Sequence, residues 1–170
     1  MSESSAGRAG TVIYQALKDA GVTVVTYLPD SSCYPIQKRA EDDPEMVAIC
    51  CAREDEGVAI AGGVAFGGGR AALVVDGSGI GWSAYVLSEC LQYRLPMLVL
   101  CSHSEALGEA REHHNVARVM SEPVLQAARI PYSVLMHIED APMIIKQSMR
   151  TAIGQKIPVG IVLPACIMED

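Results

Sequence analysis

Aromatic side chains are scarce in this sequence of 170 residues: they make up 5%, with a single Phe and a single Trp. A core of stacked rings is excluded, and 15 glycines among many alanines point instead to elements whose backbones pack closely. No apolar run approaches the roughly 18 residues of a membrane-spanning helix; the best, Leu95 to Cys101, has the length of a strand. Excess basic charge is lacking too. With 13 Lys and Arg against 20 Asp and Glu, the net charge is −7 and the pI about 5.0, the wrong sign for a nucleic-acid binder. The opening MSESSAGRAG has no apolar stretch of the kind a secretory signal carries. The six cysteines form no CxxC pair, and without a signal they read as reduced core thiols rather than a disulfide framework. A hydrophobic content of 50% is enough to fill a core and excludes disorder. The expectation is one globular, cytoplasmic domain over residues 1–170, with the first eight or so residues outside the folded unit.

What is present is an alternation of helical and strand-like segments. Periodic Thr11 to Ala20 closes on Gly21, a helix stop. Apolar runs at Val22 to Leu28, Met46 to Cys50, Ala71 to Val75, Met97 to Cys101, Tyr132 to Met136 and Val159 to Leu163 read as six strands. Between them, helices are expected near Tyr34 to Ala40, Glu54 to Gly68, Trp82 to Tyr93, Pro123 to Arg129 and Ala141 to Ile153. Continuous apolar strands alternating with helices imply an α/β three-layer domain around a mainly parallel six-stranded sheet. Ligands bind such sheets at the carboxyl ends of strands, which singles out the loops Pro29 to Ser32, Asp76 to Gly81 and Ser102 to His114.

The turn Asp76-Gly77-Ser78-Gly79-Ile80-Gly81-Trp82 has the third glycine too early for a dinucleotide fingerprint and lacks the Lys of a P-loop. Positive φ in a tight turn and close approach to a ligand explain its glycines equally well. Arg53-Glu54-Asp55-Glu56-Gly57 opens a helix with almost no polar side chain beyond its first turn, so the helix is buried nearly all round. Acids there suit the helix dipole, yet one beside an apolar stretch can be desolvated and gain the raised pKa of a proton-handling group. His103, His113 and His114 share a loop, but their spacing matches no helical metal-ligand pair.

Taken in order, Pro29-Asp30-Ser31, then Glu54 to Gly63, then Ser78-Gly79-Ile80-Gly81 resemble a family of thiamine-diphosphate-dependent 2-oxo acid decarboxylases, along nearly the whole chain. The likeness is to sulfopyruvate decarboxylase α subunits and to the N-terminal part of phosphonopyruvate decarboxylases. It implies a pyrimidine-binding domain in which a helix-start glutamate, matched to Glu56, hydrogen-bonds the cofactor's aminopyrimidine. The exocyclic nitrogen of that ring then removes a proton from the thiazolium carbon. Pro29, Ser78, Gly79 and Gly81 are implied to line the cofactor; Asp30, Ser31 and Trp82 are implied to face the substrate. His114 falls where the family carries a histidine that contacts substrate or moves protons.

Two departures qualify the resemblance. The relatives read Gln-Asn-Ser-Gly-x-Gly-Asn where this chain has Gly77 and Trp82 in place of the two asparagines, so a less polar 2-oxo acid than sulfopyruvate is expected. The Gly-Asp-Gly motif that holds diphosphate and Mg²⁺ in the superfamily is absent. A separate diphosphate-binding β subunit, carrying the Mg²⁺ ligands in a hetero-oligomer, is therefore expected. A carboligating enzyme, a non-catalytic subunit and a generic nucleotide-binding domain stand as alternatives.

Overall fold

The computed structural model describes residues 5–103, 112 and 115–168. Its strands are β1 (Val24–Tyr27), β2 (Val47–Cys50), β3 (Ala71–Val75), β4 (Met97–His103), β5 (Tyr132–Val134) and β6 (Pro158–Pro164). They form one sheet in the order β2-β1-β3-β4-β6-β5, and every pairing is parallel. The helices are α1 (Ser5–Asp19), α2 (Tyr34–Asp42), α3 (Glu54–Phe66), α4 (Gly79–Gln92), α5 (Asn115–Ala127), α6 (Ala141–Gln155) and a last turn, α7 (Ala165–Met168). None of the described helices is long and apolar enough to cross a membrane.

Because successive side chains on a strand point to opposite faces, each central strand feeds two cores. Val25, Val74, Leu100 and Ile161 join Ile13, Leu17, Ile36 and Ile145 under α1, α2 and α6. Leu73, Val75, Val99 and Val162 join Val58, Ile80, Leu87 and Leu125 under α3, α4 and α5. β3 is buried at every position, which is why it reads as an unbroken apolar run.

Tertiary packing moves several boundaries. Residues 5–8, expected outside the folded unit, begin α1, which then packs inward: Ala9 is buried, and a Cβ on Gly10 would lie 2.5 Å from Pro35 Cβ of α2. α5 begins well before Pro123, which lies inside it, because Ala117, Ser121 and Leu125 bury one face of the helix. α4 starts at Gly79 rather than Trp82, so most of the glycine turn is helix.

A charged clip holds the segment before β2 onto α1. Asp43 Oδ2 accepts from Tyr14 Oη at 2.7 Å and from Lys18 Nζ at 2.5 Å, and Lys18 also reaches Glu45 Oε2 at 3.0 Å. The Lys18 and Tyr14 hydrogen bonds hold the Asp43 carboxyl down at about 2. A depressed carboxyl contributes stability above its unfolded value of about 3.9 and loses it as pH falls through the folded value. Asp43→Asn is therefore expected to melt a few degrees below the parent near neutral pH. That gap should close as the solution is taken from about pH 4 towards pH 2, and thermal melts that keep it open there would refute the clip's role.

Candidate active site

β1 and β3 lie side by side, yet the chain leaves β1 for α2 on one face and β3 for α4 on the other. A crevice opens beyond the carboxyl ends of two strands that part in this way. Buried Gln37 on α2 ties the crevice together: its Nε2 donates to Leu28 O at 2.9 Å and Val74 O at 3.3 Å, and its Oε1 accepts from Asp30 N at 3.3 Å. Cys33, buried behind it, directs its thiol at Val75 O (3.6 Å), and burial pushes that thiol's pKa well up.

Asp30 is half-buried, with Oδ2 accepting from Cys33 N at 2.8 Å. Desolvation raises its pKa and the negative charge of Asp76 adds to the rise, while the Cys33 hydrogen bond opposes it. Asp76, at the end of β3, is fully engaged. Its Oδ1 takes Ser78 N at 2.7 Å and the Ser78 hydroxyl, and its Oδ2 takes Ser102 Oγ at 3.0 Å. Ser102 Oγ in turn accepts from Gly77 N at 3.3 Å.

The glycines of this turn are there for space. Among the described glycines, only Gly21 and Gly68 have positive φ. A Cβ on Gly77 would overlap Ser102 O and lie 3.1 Å from Ser121 Cβ and 3.2 Å from Ala117 O. One on Gly79 would overlap Glu54 Cγ and lie 2.7 Å from its Oε1. Gly57, inside α3, is equally constrained: a Cβ would lie 2.7 Å from Leu73 Cδ1, and buried Thr26 Oγ1 donates to Gly57 O at 3.0 Å. The first turn of α3 thus sits hard against β1 and β3, and the start of α4 against α3 and the end of β4.

The three acids that open α3 have different environments. Glu54 is half-buried with its side chain against Gly79 at the start of α4. Asp55 is held by Arg53 through Nε (3.0 Å) and Nη2 (2.9 Å), which lowers its pKa, and the Arg53 guanidinium lies 5.3 Å from the centroid of the Trp82 ring. Glu56 is exposed and turns back to accept from Ala52 N at 2.7 Å, much as the last residue of a capping box does.

Of the residues expected at the site, Asp30, Ser78, Gly79 and Gly81 lie at the switch point. Pro29 and Ser31 are exposed on its β1 loop, and Trp82 stands 69% exposed on the first turn of α4. His113 and His114 lie outside the described residues. His103, the last residue of β4, is pinned to α5, its Nδ1 2.9 Å from Ser121 Oγ and its Nε2 3.9 Å from Glu122 Oε1. Sequence reasoning passed over Gln37 and Ser102. Gln37 had a usable signal, a polar residue beside Cys33, Ile36 and Ala40 on the apolar stripe of α2; Ser102, inside buried β4, had none. No group of three His, Cys, Asp or Glu side chains suited to a metal occurs among the described residues.

A parallel sheet with an acid-led, glycine-bearing helix at its switch point is a cofactor-binding α/β domain, and the match of sequence to family is direct. The chain belongs to the thiamine pyrophosphate enzymes: residues 7–122 match their N-terminal TPP binding domain. It is 28% identical over 162 residues to a sulfopyruvate decarboxylase subunit alpha of Methanococcus maripaludis, covering 95% of this chain and 97% of that one. The corresponding subunit of Methanocaldococcus jannaschii is 26% identical over 163 residues, covering 95% and 96%. A phosphonopyruvate decarboxylase of Streptomyces viridochromogenes is 27% identical over 158 residues, 91% of this chain but 40% of that longer one.

The backbone walls around Gly77 allow a test of the site's architecture. Gly77→Ala is expected to destabilise the domain by about 3 kcal/mol, since Ser102 O and Ala117 O cannot both withdraw. Denaturant unfolding that finds less than about 1 kcal/mol would show the turn to be looser than described.

Proposed function

We propose that this chain is the pyrimidine-binding subunit of a two-chain thiamine-diphosphate-dependent decarboxylase acting on a 2-oxo acid. The observation that carries the reading is Glu54, a half-buried carboxylate lodged against Gly79 in the switch-point crevice of a thiamine pyrophosphate domain. The residues present suit an aminopyrimidine: a carboxyl at Glu54 for its ring nitrogen, brought against the start of α4 by Gly79, and an exposed indole at Trp82 on the same turn. When bound, the cofactor supplies a carbon that adds to the 2-oxo acid and accepts the electron pair left as CO₂ departs.

The motif pointed to Glu56; the role is proposed here for Glu54 instead. Glu56 is spent on the Ala52 N–H at the start of its own helix, whereas Glu54 crosses to the neighbouring helix. Glu54 holds and shares a proton with the ring; Glu56 secures the first turn of α3. Asp30, whose burial raises its pKa, holds a proton on the substrate side of the crevice, with Ser31 on the same loop. His114, which falls between β4 and α5 in the sequence, contacts substrate or moves a proton.

The diphosphate and Mg²⁺ are held by a separate chain that completes the site. The absence of a Gly-Asp-Gly motif supports this, as does the 97% coverage of a relative that is itself one subunit. The substrate is a 2-oxo acid less polar than sulfopyruvate. The amide side chain that the resemblance implies at position 77 has no room here, and the exposed indole of Trp82 stands where it implies the other. In a panel assay of the assembled enzyme, an aliphatic or aromatic 2-oxo acid should give a kcat/KM at least about tenfold above that of sulfopyruvate; comparable values would refute this substrate class.

Glu54→Gln should lower kcat by about a hundredfold or more, the usual worth of a positioned proton carrier. Glu56→Gln should stay within a few-fold and fold as the parent does, because the Gln amide oxygen still accepts from Ala52 N. Single-turnover kinetics that reverse the two would return the role to Glu56. Full activity in both variants would overturn the catalytic reading.

A further inference from the structure

The opposite end of the sheet, away from the carboxylates, carries a second cleft. Two contiguous cavities of about 410 Å³ each meet along Arg70 and Ile153 below the amino ends of β3, β4 and β6. Arg70, Arg94 and Lys156 line the first; Lys146 and Arg150 join Arg70 in the second, and neither wall holds an Asp or Glu. Five of the 13 basic residues of a chain with net charge −7 thus face one groove.

Among the described residues, none of the five makes an ion pair with a carboxylate; the one hydrogen bond assigned to them runs from Arg70 Nη1 to Ala20 O at 2.8 Å. Cations in the last turn of a helix answer the negative end of its dipole, which accounts for Arg94 and Lys156 next to the ends of α4 and α6. It does not account for Lys146 and Arg150. They stand four apart within α6, a spacing at which like charges repel, and α6 contains no acid to relieve them. Arg94 (φ 60°) and Lys156 (φ 57°) also occupy left-handed backbone that glycine adopts freely, so two long cations are kept where the local conformation favours none. Phe66 and Tyr93, 85% and 63% exposed, line the same cavity beside them.

We infer that this groove binds a small phosphate-bearing anion with a planar ring, of the nucleoside polyphosphate class. The phosphates meet the cations, as charge-assisted hydrogen bonds favour. The ring lies against Phe66 or Tyr93, in a cavity of the volume usual for such ligands. The site is separate from the decarboxylase crevice and does not depend on that reading.

The test is calorimetric titration of the purified full chain in its native assembly, with thiamine diphosphate and Mg²⁺ saturating, using ADP, tripolyphosphate and adenosine as probes. ADP is expected to bind with a Kd on the order of 100 μM at low salt, tripolyphosphate more weakly and adenosine weakest. Arg94→Glu and Lys146→Glu should each weaken ADP by about tenfold or more, while Lys38→Glu on α2 changes it less than about twofold. Lys146, on regular helix, serves as the test if Arg94→Glu does not fold. The inference is overturned if ADP shows no saturable binding below about 5 mM, or if Lys146→Glu binds it as the parent does.

Discussion

Everything at the carboxyl end of this sheet depends on how closely the first turns of α3 and α4 approach the strands. At Gly57, Gly77 and Gly79 a single added carbon would collide with Leu73, with the Ser102 carbonyl and with Glu54. The absence of those three carbons lets a carboxylate from one helix lie on the start of the next. It also lets Ser102 of β4 bind both the backbone and the acid of the β3 turn. A side chain at any of the three would push apart elements that share buried residues on the same side of the sheet, because a packed interior transmits displacement rather than absorbing it.

That close approach sets the electrostatics. Asp30 and Asp76 end up near enough for one to raise the other's pKa, and only Asp76 is fully satisfied by hydrogen bonds. Desolvation outweighs the donors at Cys33 and Ser32, so Asp30 retains its proton to higher pH than an ordinary carboxyl. The burial that raises the Cys33 and Cys101 thiols, Cys101 to about 12, keeps both neutral packing elements beside them.

How much of this was legible in the sequence follows the same physics. The central strands were, because a strand buried on both faces must be apolar throughout: β3 matches its apolar run residue for residue. α5 was not. Pro123 marks a helix start locally, and only the burial of Ala117, Ser121 and Leu125 against the sheet overrides it. The glycines of 76–81 were visible while their reason was not, since positive φ and lack of room give the same letter. The choice among Glu54, Asp55 and Glu56 was equally hidden. At 3.6 residues per turn, Glu54 and Glu56 project about 200° apart, so the motif locates a carboxylate near the site without saying which one crosses the gap.

The fold also explains why the acids that open α3 lie at one end of the sheet and the cations of the groove at the other. In a parallel sheet the covering helices run against the strands, so their amino termini collect where the strands end and their carboxyl termini where the strands begin. The positive ends of the helix dipoles therefore face the crevice, and the negative ends face the groove of Arg70, Arg94 and Lys156. Glu54, Asp55 and Glu56 sit in the field that suits them, at the start of α3. What separates them is packing: Glu54 is half-buried against Gly79 at the start of α4, whereas Glu56 is exposed. The same dipoles that tolerate acids at the cofactor end leave the far end in need of cations, and α6 supplies two more than its own terminus requires.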